Sequence, residues 1–414
     1  MKNAILLFHA SQLGDHLHPF LIDEIDHFQP NFDNVYVFCL KPTCSINEYE
    51  NSNVHFITIK LWPLYIRLWL LIPVLFTGYF WRDVRIAITN NIFGIQYLKA
   101  TAMQIIYGRY FYKKANRLIQ KSPKDEWVID SYWLTGPAYA AALIKQKNNV
   151  IAFSRLHSSE ADVKRNPIAI CQLKGFIDKY MDFIFFVSDI GKQSYINIIN
   201  RYYDPSIYNS DRYIVNRLGV KNSGFKSSPS DDGVYRILSC SRMVPLKRVS
   251  MLAEVFSKWN GPLIEWTHIG DGDDFEQVQS IVNHYRDNDN SSCILLGNLS
   301  HDDVINYYRD NKVDVFVNIS QYEGLPVSIM EALSFGVPVI ATKAGGTEEI
   351  VDNNDGILLE IDLSVDQLVN AVLSLIELPI ELSTQMRHNA YQKYCELLNS
   401  EANFDVLLKK LERK

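Results

Sequence analysis

Residues 313–351 of the 414-residue chain read VDVFVNISQYEGLPVSIMEALSFGVPVIATKAGGTEEIV, and this stretch decides the fold. VDVFVN (313–318) and VPVIA (337–341) are short, continuous apolar runs, the pattern of strands buried on both faces. Between them, the residues from Pro326 onward form an apolar segment of helical length. A strand, a helix and a second strand in this order predict a parallel βαβ unit.

The same alternation runs along most of the chain, with helical stretches such as TGPAYAAALIKQ (135–146) between many of the strand candidates. Continuous apolar strands separated by helices predict doubly wound parallel sheets that are covered on both faces. The other strand candidates are residues 4–9, 35–40, 54–59, 84–89, 126–131, 149–154 and 182–187 in the first half and 235–240, 263–269, 293–297 and 356–359 in the second.

A stretch rich in Gly, Ser, Pro and Asp interrupts this alternation at residues 219–233. It has no apolar periodicity, which is typical of a linker between domains. We therefore predict an α/β protein with two Rossmann-like, doubly wound domains that face each other across a cleft. The predicted boundaries are 1–218 for the first domain and 234–400 for the second.

Composition and charge narrow the class of protein. The chain carries 41 Lys and Arg against 47 Asp and Glu, a net charge of −6, which argues against general nucleic-acid binding. Six scattered cysteines indicate reduced core residues and no disulfide framework or zinc site. The first residues, MKNAILLFHASQLGDH, lack the long apolar segment of a secretory signal, so we expect a cytoplasmic protein.

Doubly wound sheets bind ligands at the carboxyl ends of their strands. Two predicted strand-end loops in the second domain carry charged side chains that suit a nucleotide sugar. After YRILSC, Arg242 and Lys247 can converge on a diphosphate. After VDVFVN, Glu323 lies in the loop and Glu331 about two turns along the helix, and carboxylates accept hydrogen bonds from sugar hydroxyls. Taken singly, each is more typical of a solvated surface charge, but together they outline a nucleotide-sugar site.

The second half of the chain resembles the retaining glycosyltransferases of family 4, which have the GT-B architecture and occur in bacterial capsular polysaccharide, exopolysaccharide and lipopolysaccharide biosynthesis. The resemblance runs through SRMVPLKR (241–248), HIGDGDDFE (268–276), LLGNLSHDDVINYY (295–308) and the stretch 313–351, with its E-x₇-E pair, GVPVIAT strand and GGxxEIV turn. The first half matches loosely. The resemblance also implies that a last helix, at about 401–414, packs back on the first domain.

The resemblance implies a role for each matched residue of the second domain. Arg242 and Lys247 would bind the donor diphosphate, Glu323 would hold hydroxyls of the donor sugar, and Glu331 would hold the ribose. Main-chain groups would complete the donor site: those of Gly324 and Leu325 at the phosphates, and those of Asn298 and Leu299 at the base.

In the first domain, the resemblance implies that His157, in SRLHSSE, is the active-site histidine. A histidine at a strand end is otherwise more often a structural hydrogen-bonding group. Gly14 lies in the loop where relatives often have two glycines that approach the phosphates. The implied catalytic residues are His157, Arg242, Lys247 and Glu323.

The implied reaction moves a hexose-type sugar, with retention of configuration, from a nucleotide-diphosphate donor, UDP or GDP, to a saccharide acceptor. We expect a front-face displacement in which cations and backbone amides stabilise the departing diphosphate. We expect no cofactor and no metal. Asp271-Gly272-Asp273 looks like a metal-binding DxD motif, but it matches the glycine-rich turn of the family.

Residues 61–121 are basic and rich in tryptophan, with nine Lys and Arg, one acid and three of the seven tryptophans. The apolar run after Arg67 has 14 residues, too short to span a bilayer, which needs about 20. The segment is either a buried connection of the first domain or a patch that contacts the inner face of the membrane and a lipid-linked acceptor. The patch residues would be Trp62, Arg67, Trp69, Trp81, Arg109, Lys113 and Lys114.

Three alternatives belong to other functional classes. A nicotinamide-dependent oxidoreductase requires G-x-G-x-x-G after the first strand, where this chain has HASQLGDHLHP. A nucleotide-sugar-binding protein without turnover would keep the same four charged residues, so only turnover separates it from a transferase. A nucleotide-sugar epimerase shares the architecture, but the family 4 spacing fits better.

Overall fold

A computed structural model of the chain describes residues 1–8, 19–39, 49, 51–59, 63, 68–157, 160–203, 210–285 and 288–412. The chain divides into two units. The first unit consists of Met1–Asn216 together with the residues from Phe404 onward, and the second unit consists of Arg217–Asn403.

The first unit is built around parallel strands covered by helices. Its strands are β1 (Lys2–Leu7), β2 (Asn34–Cys39), β3 (Val54–Thr58), β4 (Glu126–Ser131), β5 (Ile151–Leu156), β6 (Phe183–Phe186) and β7 (Tyr213–Val215). Its helices are α1 (Pro19–Phe28), α2 (Gly78–Thr89), α3 (Ile95–Ile119), α4 (Gly136–Lys147), α5 (Lys174–Tyr180) and α6 (Asp189–Tyr202). Within the described residues, the strands form one parallel sheet of seven in the order β3-β2-β1-β4-β5-β6-β7.

Apolar strands form the centre of this sheet because both of its faces are covered. Residues 4–7 of β1 are fully buried, and α4 buries every residue from Gly136 to Ile144. Since β4 and β5 are neighbours and parallel, their carboxyl ends meet at one edge, where Ser131 ends β4 and His157 follows β5.

The second unit repeats the same construction. Its strands are β8 (Tyr235–Cys240), β9 (Ile264–Ile269), β10 (Ser291–Leu295), β11 (Val315–Asn318), β12 (Val339–Thr342) and β13 (Gly356–Leu359). Its helices are α7 (Val249–Ser257), α8 (Phe275–His284), α9 (His301–Asp310), α10 (Val327–Ser334), α11 (Val365–Ile376) and α12 (Ile380–Lys393). The described strands form a parallel sheet of six in the order β10-β9-β8-β11-β12-β13. The predicted class, two Rossmann-like parallel-sheet domains, is confirmed.

One predicted strand was wrong. VRIAIT (84–89) lies in α2, because its burial follows the helical period: Val84 and Ala87 are buried, whereas Arg85 and Ile88 are exposed. β7 has only three residues, and its YIV was not among the predicted strands.

The residues expected to form a linker pack on the second unit. Ser227 donates its backbone N–H to Phe335 O at 3.0 Å, and the ring centroids of Phe225 and Phe335 lie 5.1 Å apart.

The last helix, α13 (Ser400–Glu412), contacts the first unit: the ring of its Phe404 stacks on His27 at 4.1 Å.

Candidate functional site

A glycine turn after β9 shapes the loop that follows β8. Met243 donates its backbone N–H to Asp271 O at 2.9 Å. Gly270 has φ +138°, and a Cβ at this position would lie 2.0 Å from Ser241 O. The backbone of residues 241–243 lies so close to the turn that only glycine fits there.

A buried histidine fixes the start of the same loop. His268 Nε2 lies 3.1 Å from Ser241 O, and because a carbonyl only accepts, this nitrogen carries the proton. His268 Nδ1 then accepts from the Ser239 hydroxyl at 2.8 Å, which in turn accepts from Trp266 Nε1 at 2.9 Å. Burial lowers the pKa of His268 to about 4, so the ring stays neutral and keeps this hydrogen-bond pattern at neutral pH.

Arg242 extends from this loop beside a cavity of about 590 Å³, a volume within the range of small-molecule sites. Its side chain is 70% exposed, and Nη2 lies 3.8 Å from Asp273 Oδ1. The cavity brings Arg242 together with Asn298 and Leu299, as the sequence-based donor site requires. It is lined by Cys240, Ser241, Arg242, Ile269, Gly270, Asp271, Gly272, Asn298, Leu299 and Val304.

The loops after β8 and β11 meet through a cation and a carboxylate. Lys247 Nζ donates to Glu323 Oε1 at 2.5 Å, and the same oxygen accepts from Asn318 Nδ2 at 3.1 Å. The Gln321 backbone N–H also donates to Leu246 O at 2.9 Å. Two residues chosen from separate motifs therefore form one hydrogen-bonded pair, and Asn318 is a supporting residue that the sequence reasoning missed.

The GGxxEIV turn holds the Glu323 loop from behind. Gly345 has φ +57°, and a Cβ there would lie 1.9 Å from Glu323 O. Gly346 donates its backbone N–H to Gly324 O at 2.9 Å. Gly324 and Leu325 come directly before α10, whose N-cap is Pro326, so they lie at the amino end of that helix.

Glu331 is a buried carboxylate in α10 that faces the first residue of α9. Its Oε1 lies 3.3 Å from His301 Nδ1, and the histidine side chain is 47% exposed. The hydrogen bond with Glu331 raises the pKa of His301 above its usual value. The sequence reasoning missed His301, because a histidine after a helix N-cap serine carries no signal of its own.

The Cys240 thiol lies close enough to Glu331 and Lys247 to respond to both. Burial is the main cause that raises its pKa; the Glu331 carboxylate raises it further and the Lys247 ammonium opposes both. The end of β8 therefore lies near one charged member of each pair: the Lys247 ammonium of the Lys247–Glu323 pair and the Glu331 carboxylate of the His301–Glu331 pair.

In the first unit, His157 lies at the end of β5. Its Nε2 is 3.1 Å from Tyr132 O, and its ring packs at 5.0 Å from that of Tyr132. Its backbone N–H donates to Glu160 Oε2 at 2.8 Å. Burial raises the pKa of Glu160 and lowers that of the neighbouring Lys174.

The residues of the predicted membrane patch differ in exposure. Trp69, Trp81, Lys113 and Lys114 are exposed. Arg109 is half-buried and hydrogen-bonds Tyr139, so it packs inside the unit more than it faces solvent. Gly14, Trp62 and Arg67 lie outside the described residues.

The described residues contain neither a grouped set of metal ligands nor a membrane-spanning helix. In the described ranges, no three His, Cys, Asp or Glu side chains are grouped as a metal site would require. No helix in the part of the chain that the structure describes combines the length and hydrophobicity needed to cross a bilayer.

Residues 220–393 match the family model described as Glycosyl transferases group 1. The matched residues all lie within the second unit. Amylovoran biosynthesis glycosyltransferase AmsK of Erwinia amylovora is 26% identical over 46% of this chain and 51% of AmsK. O-antigen biosynthesis glycosyltransferase WbnH of Escherichia coli is 32% identical over 30% of this chain and 33% of WbnH. The chain thus spans about half the length of AmsK and about a third of WbnH.

Solved structures match over almost the whole length of the chain. Anabaena HepE in complex with UDP has a TM-score of 0.68 at 15% identity, with 100% of both chains covered. The apo form of the lipopolysaccharide outer core galactosyltransferase WaaB has a TM-score of 0.65 at 15% identity, with 98% of this chain and 97% of that chain covered. At these identities the likeness shows the fold, which is GT-B.

Proposed function

We propose that this protein is a retaining glycosyltransferase that moves a hexose-type sugar from a nucleotide-diphosphate sugar to a saccharide acceptor in cell-surface polysaccharide synthesis. The observation that carries the proposal is the 2.5 Å pair of Lys247 and Glu323, placed at the carboxyl edge of a group 1 glycosyltransferase domain. AmsK and WbnH, by their names, act in amylovoran and O-antigen biosynthesis, which supports the polysaccharide context.

The donor would be a UDP- or GDP-sugar. Arg242 and Lys247 offer a guanidinium fork and an ammonium to the diphosphate, and the cavity beside Asn298 and Leu299 offers room for the base. Glu331 would accept hydrogen bonds from the ribose, and Glu323 from the transferred sugar. HepE, solved with UDP, has the same fold, which favours UDP as the first nucleotide to test.

The transfer would be a front-face displacement. The acceptor oxygen bonds to the anomeric carbon as the bond from that carbon to the diphosphate breaks, and the acceptor proton passes to the departing phosphate oxygen. Arg242, Lys247 and the backbone at Gly324 and Leu325 would stabilise the developing negative charge. His157 would complete the catalytic set from the first unit, with Gly14 near the phosphates. The reaction would need no cofactor and no metal.

The acceptor would be a lipid-linked saccharide, and the protein would lie on the inner face of the cytoplasmic membrane. The exposed side chains of Trp69, Trp81, Lys113 and Lys114 support this, because aromatic rings and cations together favour an anionic bilayer surface.

Thermal shift with a panel of UDP-, GDP- and ADP-sugars tests the donor site, because a bound ligand stabilises the native state by mass action. We expect one donor to raise the melting temperature of the parent, and Glu331→Ala and Arg242→Ala to abolish this shift. Glu254→Ala, an exposed acid of the same unit, is the matched control and should keep it. A donor that stabilises both site variants as strongly as the parent would remove the site assignment.

Product analysis tests the reaction itself. We expect the transferred sugar to keep its anomeric configuration and the rate to be unchanged by a chelator. An inverted product would rule out the front-face route, whereas binding without any transfer would favour a nucleotide-sugar-binding protein.

A further inference from the structure

Two adjoining cavities open in the first unit between α2, α5 and the end of α6. One has a volume of about 280 Å³ and the other about 300 Å³, and Arg82 and Tyr203 line both. Arg85 and Arg201 complete the second cavity, and Lys179 lies in the first. We call the two together the arginine groove.

The arginine groove carries four cations that lack a carboxylate partner within the described part of the chain. All four are exposed, and none forms an ion pair with a described residue: Arg82, Arg85, Lys179 and Arg201. Arg201 lies over the Tyr202 ring, with its Cζ 5.4 Å from the centroid. A pocket with this charge attracts anions.

Asp83, the acidic residue that lines the groove, is buried, and both of its carboxylate oxygens accept hydrogen bonds. Its Oδ1 accepts from the Tyr203 hydroxyl at 2.8 Å and its Oδ2 from the Leu173 backbone N–H at 3.1 Å. Asp83 therefore holds the Tyr203 wall of the groove in place and does not pair with the arginines.

The groove lies at the opposite end of the first sheet from His157. α6 begins directly after β6, and Arg201 lies thirteen residues beyond the Ser188 N-cap, or roughly 20 Å along the helix axis. His157 follows the carboxyl end of β5, which is parallel to β6. A ligand in the groove would leave the carboxyl edge of this sheet free.

Large exposed apolar side chains lie close in sequence to the groove residues of α2. Trp81 precedes Arg82 in α2 and is 56% exposed, and Phe76 is 84% exposed. Trp81 Nε1 donates to Leu75 O at 2.8 Å, which ties the turn that carries Phe76 to α2. A water-soluble phosphate ester would not bury these apolar side chains, whereas a bilayer surface would.

We propose that the arginine groove binds the phosphate of an anionic glycerophospholipid headgroup while Phe76 and Trp81 enter the adjoining bilayer surface. Three guanidinium groups match phosphate because each offers a planar fork of N–H donors. The proposal deepens the membrane contact proposed above, and it assigns that contact to a specific headgroup site.

Vesicle co-sedimentation tests the site with three lipid mixtures: phosphatidylcholine alone, phosphatidylcholine with phosphatidylglycerol, and phosphatidylcholine with oleate at the same surface potential. Oleate supplies negative charge without phosphate. The groove variant is Arg82→Ala/Arg85→Ala/Arg201→Ala. The matched control, Lys124→Ala/Lys409→Ala/Lys410→Ala, removes the same charge from the first unit outside the groove. A third variant replaces the three arginines by lysine, which keeps the charge and loses the forks.

We expect the parent to prefer phosphatidylglycerol over oleate vesicles. The groove variant should lose more than about tenfold in binding to phosphatidylglycerol vesicles, the control less than about threefold, and the lysine variant an intermediate amount. Unchanged melting temperatures show that the variants fold. Equal losses in the groove variant and the control would overturn the headgroup site, as would binding of free glycerol phosphate in the groove without any vesicle binding.

The donor thermal shift separates this proposal from the proposed activity. Failure of the parent to bind any anionic vesicle would remove the membrane contact and the headgroup site together. It would leave donor binding in the second unit, and the proposed sugar transfer, untouched.

Discussion

His301 and Glu331 share a hydrogen bond whose strength depends on a proton. The pKa of His301 is higher in the folded chain than in the unfolded chain because the Glu331 carboxylate accepts from the imidazole. Protonation of His301 therefore stabilises the fold. This contribution is complete below the unfolded pKa of 6.5 and is lost as the pH rises through the higher folded pKa.

We predict that His301→Gln costs more stability at about pH 5.5 than at about pH 8.5. The urea midpoints of parent and variant, measured at both values, give the two differences. Asn283→Gln, which exchanges one non-titrating amide for another at an exposed position of the same unit, should give the same difference at both pH values. A pH-independent cost for His301→Gln would mean that the pair does not titrate.

The pair of Lys247 and Glu323 is expected to act as one unit in donor binding. Lys247→Met and Glu323→Gln should each raise the donor Kd by about 10- to 100-fold, because each removes a charged hydrogen-bonding group. Since the two atoms lie 2.5 Å apart, the double variant should lose less than the product of the two effects, with a coupling of about 1 kcal/mol or more.

Isothermal titration with the donor measures the four Kd values of this cycle. The exposed pair of Lys343 and Glu360, in the same unit, provides a control cycle with additive and small effects. Full additivity at Lys247 and Glu323 would show that each contacts the donor independently of the other.

At the level of whole elements, the local apolar pattern predicted strands well where both sheet faces are covered, as in β4, β11 and β12. It failed at residues 84–89, where β-branched residues form a helix because burial there has the helical period. The local sequence also did not predict a role for His301, since the carboxylate that hydrogen-bonds this histidine comes from α10 and not from its own helix. Contacts between elements distant in sequence are invisible to a local pattern.

The turn at Gly345 packs closely against the loop that carries Glu323, and substitution of the glycine tests this contact. Gly345→Ala should destabilise the second unit by about 2–4 kcal/mol, because its Cβ would lie 1.9 Å from Glu323 O and the residue has φ +57°. Gly224→Ala has a similar φ of +78° with open space around it, so it should cost only about 1 kcal/mol. Melting curves of both variants compare the costs, and equal values would show that backbone strain alone matters.

On the scale of the whole molecule, one aromatic side chain of α13 packs against residues from the first part of the chain. Phe404 is 3% exposed, and the Arg155 guanidinium lies 5.1 Å from its ring centroid. Arg155 is itself buried and pairs with Glu24 of α1 at 3.0 Å. The C-terminal helix therefore contributes to the core of the first unit.

We predict that Phe404→Ala destabilises the first unit by about 3–5 kcal/mol, the usual cost of removing a buried ring. Amide hydrogen exchange should become faster in α1, whose His27 stacks on Phe404. Val406→Ala, on an exposed face of the same helix, should change stability by less than about 0.5 kcal/mol. Unchanged exchange in α1 would show that the helix contributes nothing to that core.

The division of the chain also fixes an order of events during synthesis. Every residue of the second unit, Arg217–Asn403, leaves the ribosome before Phe404 does. The second unit can thus complete its core while the first, although translated earlier, still lacks its last helix. The unit whose synthesis begins first is thus the unit that waits for residues made after the other is complete.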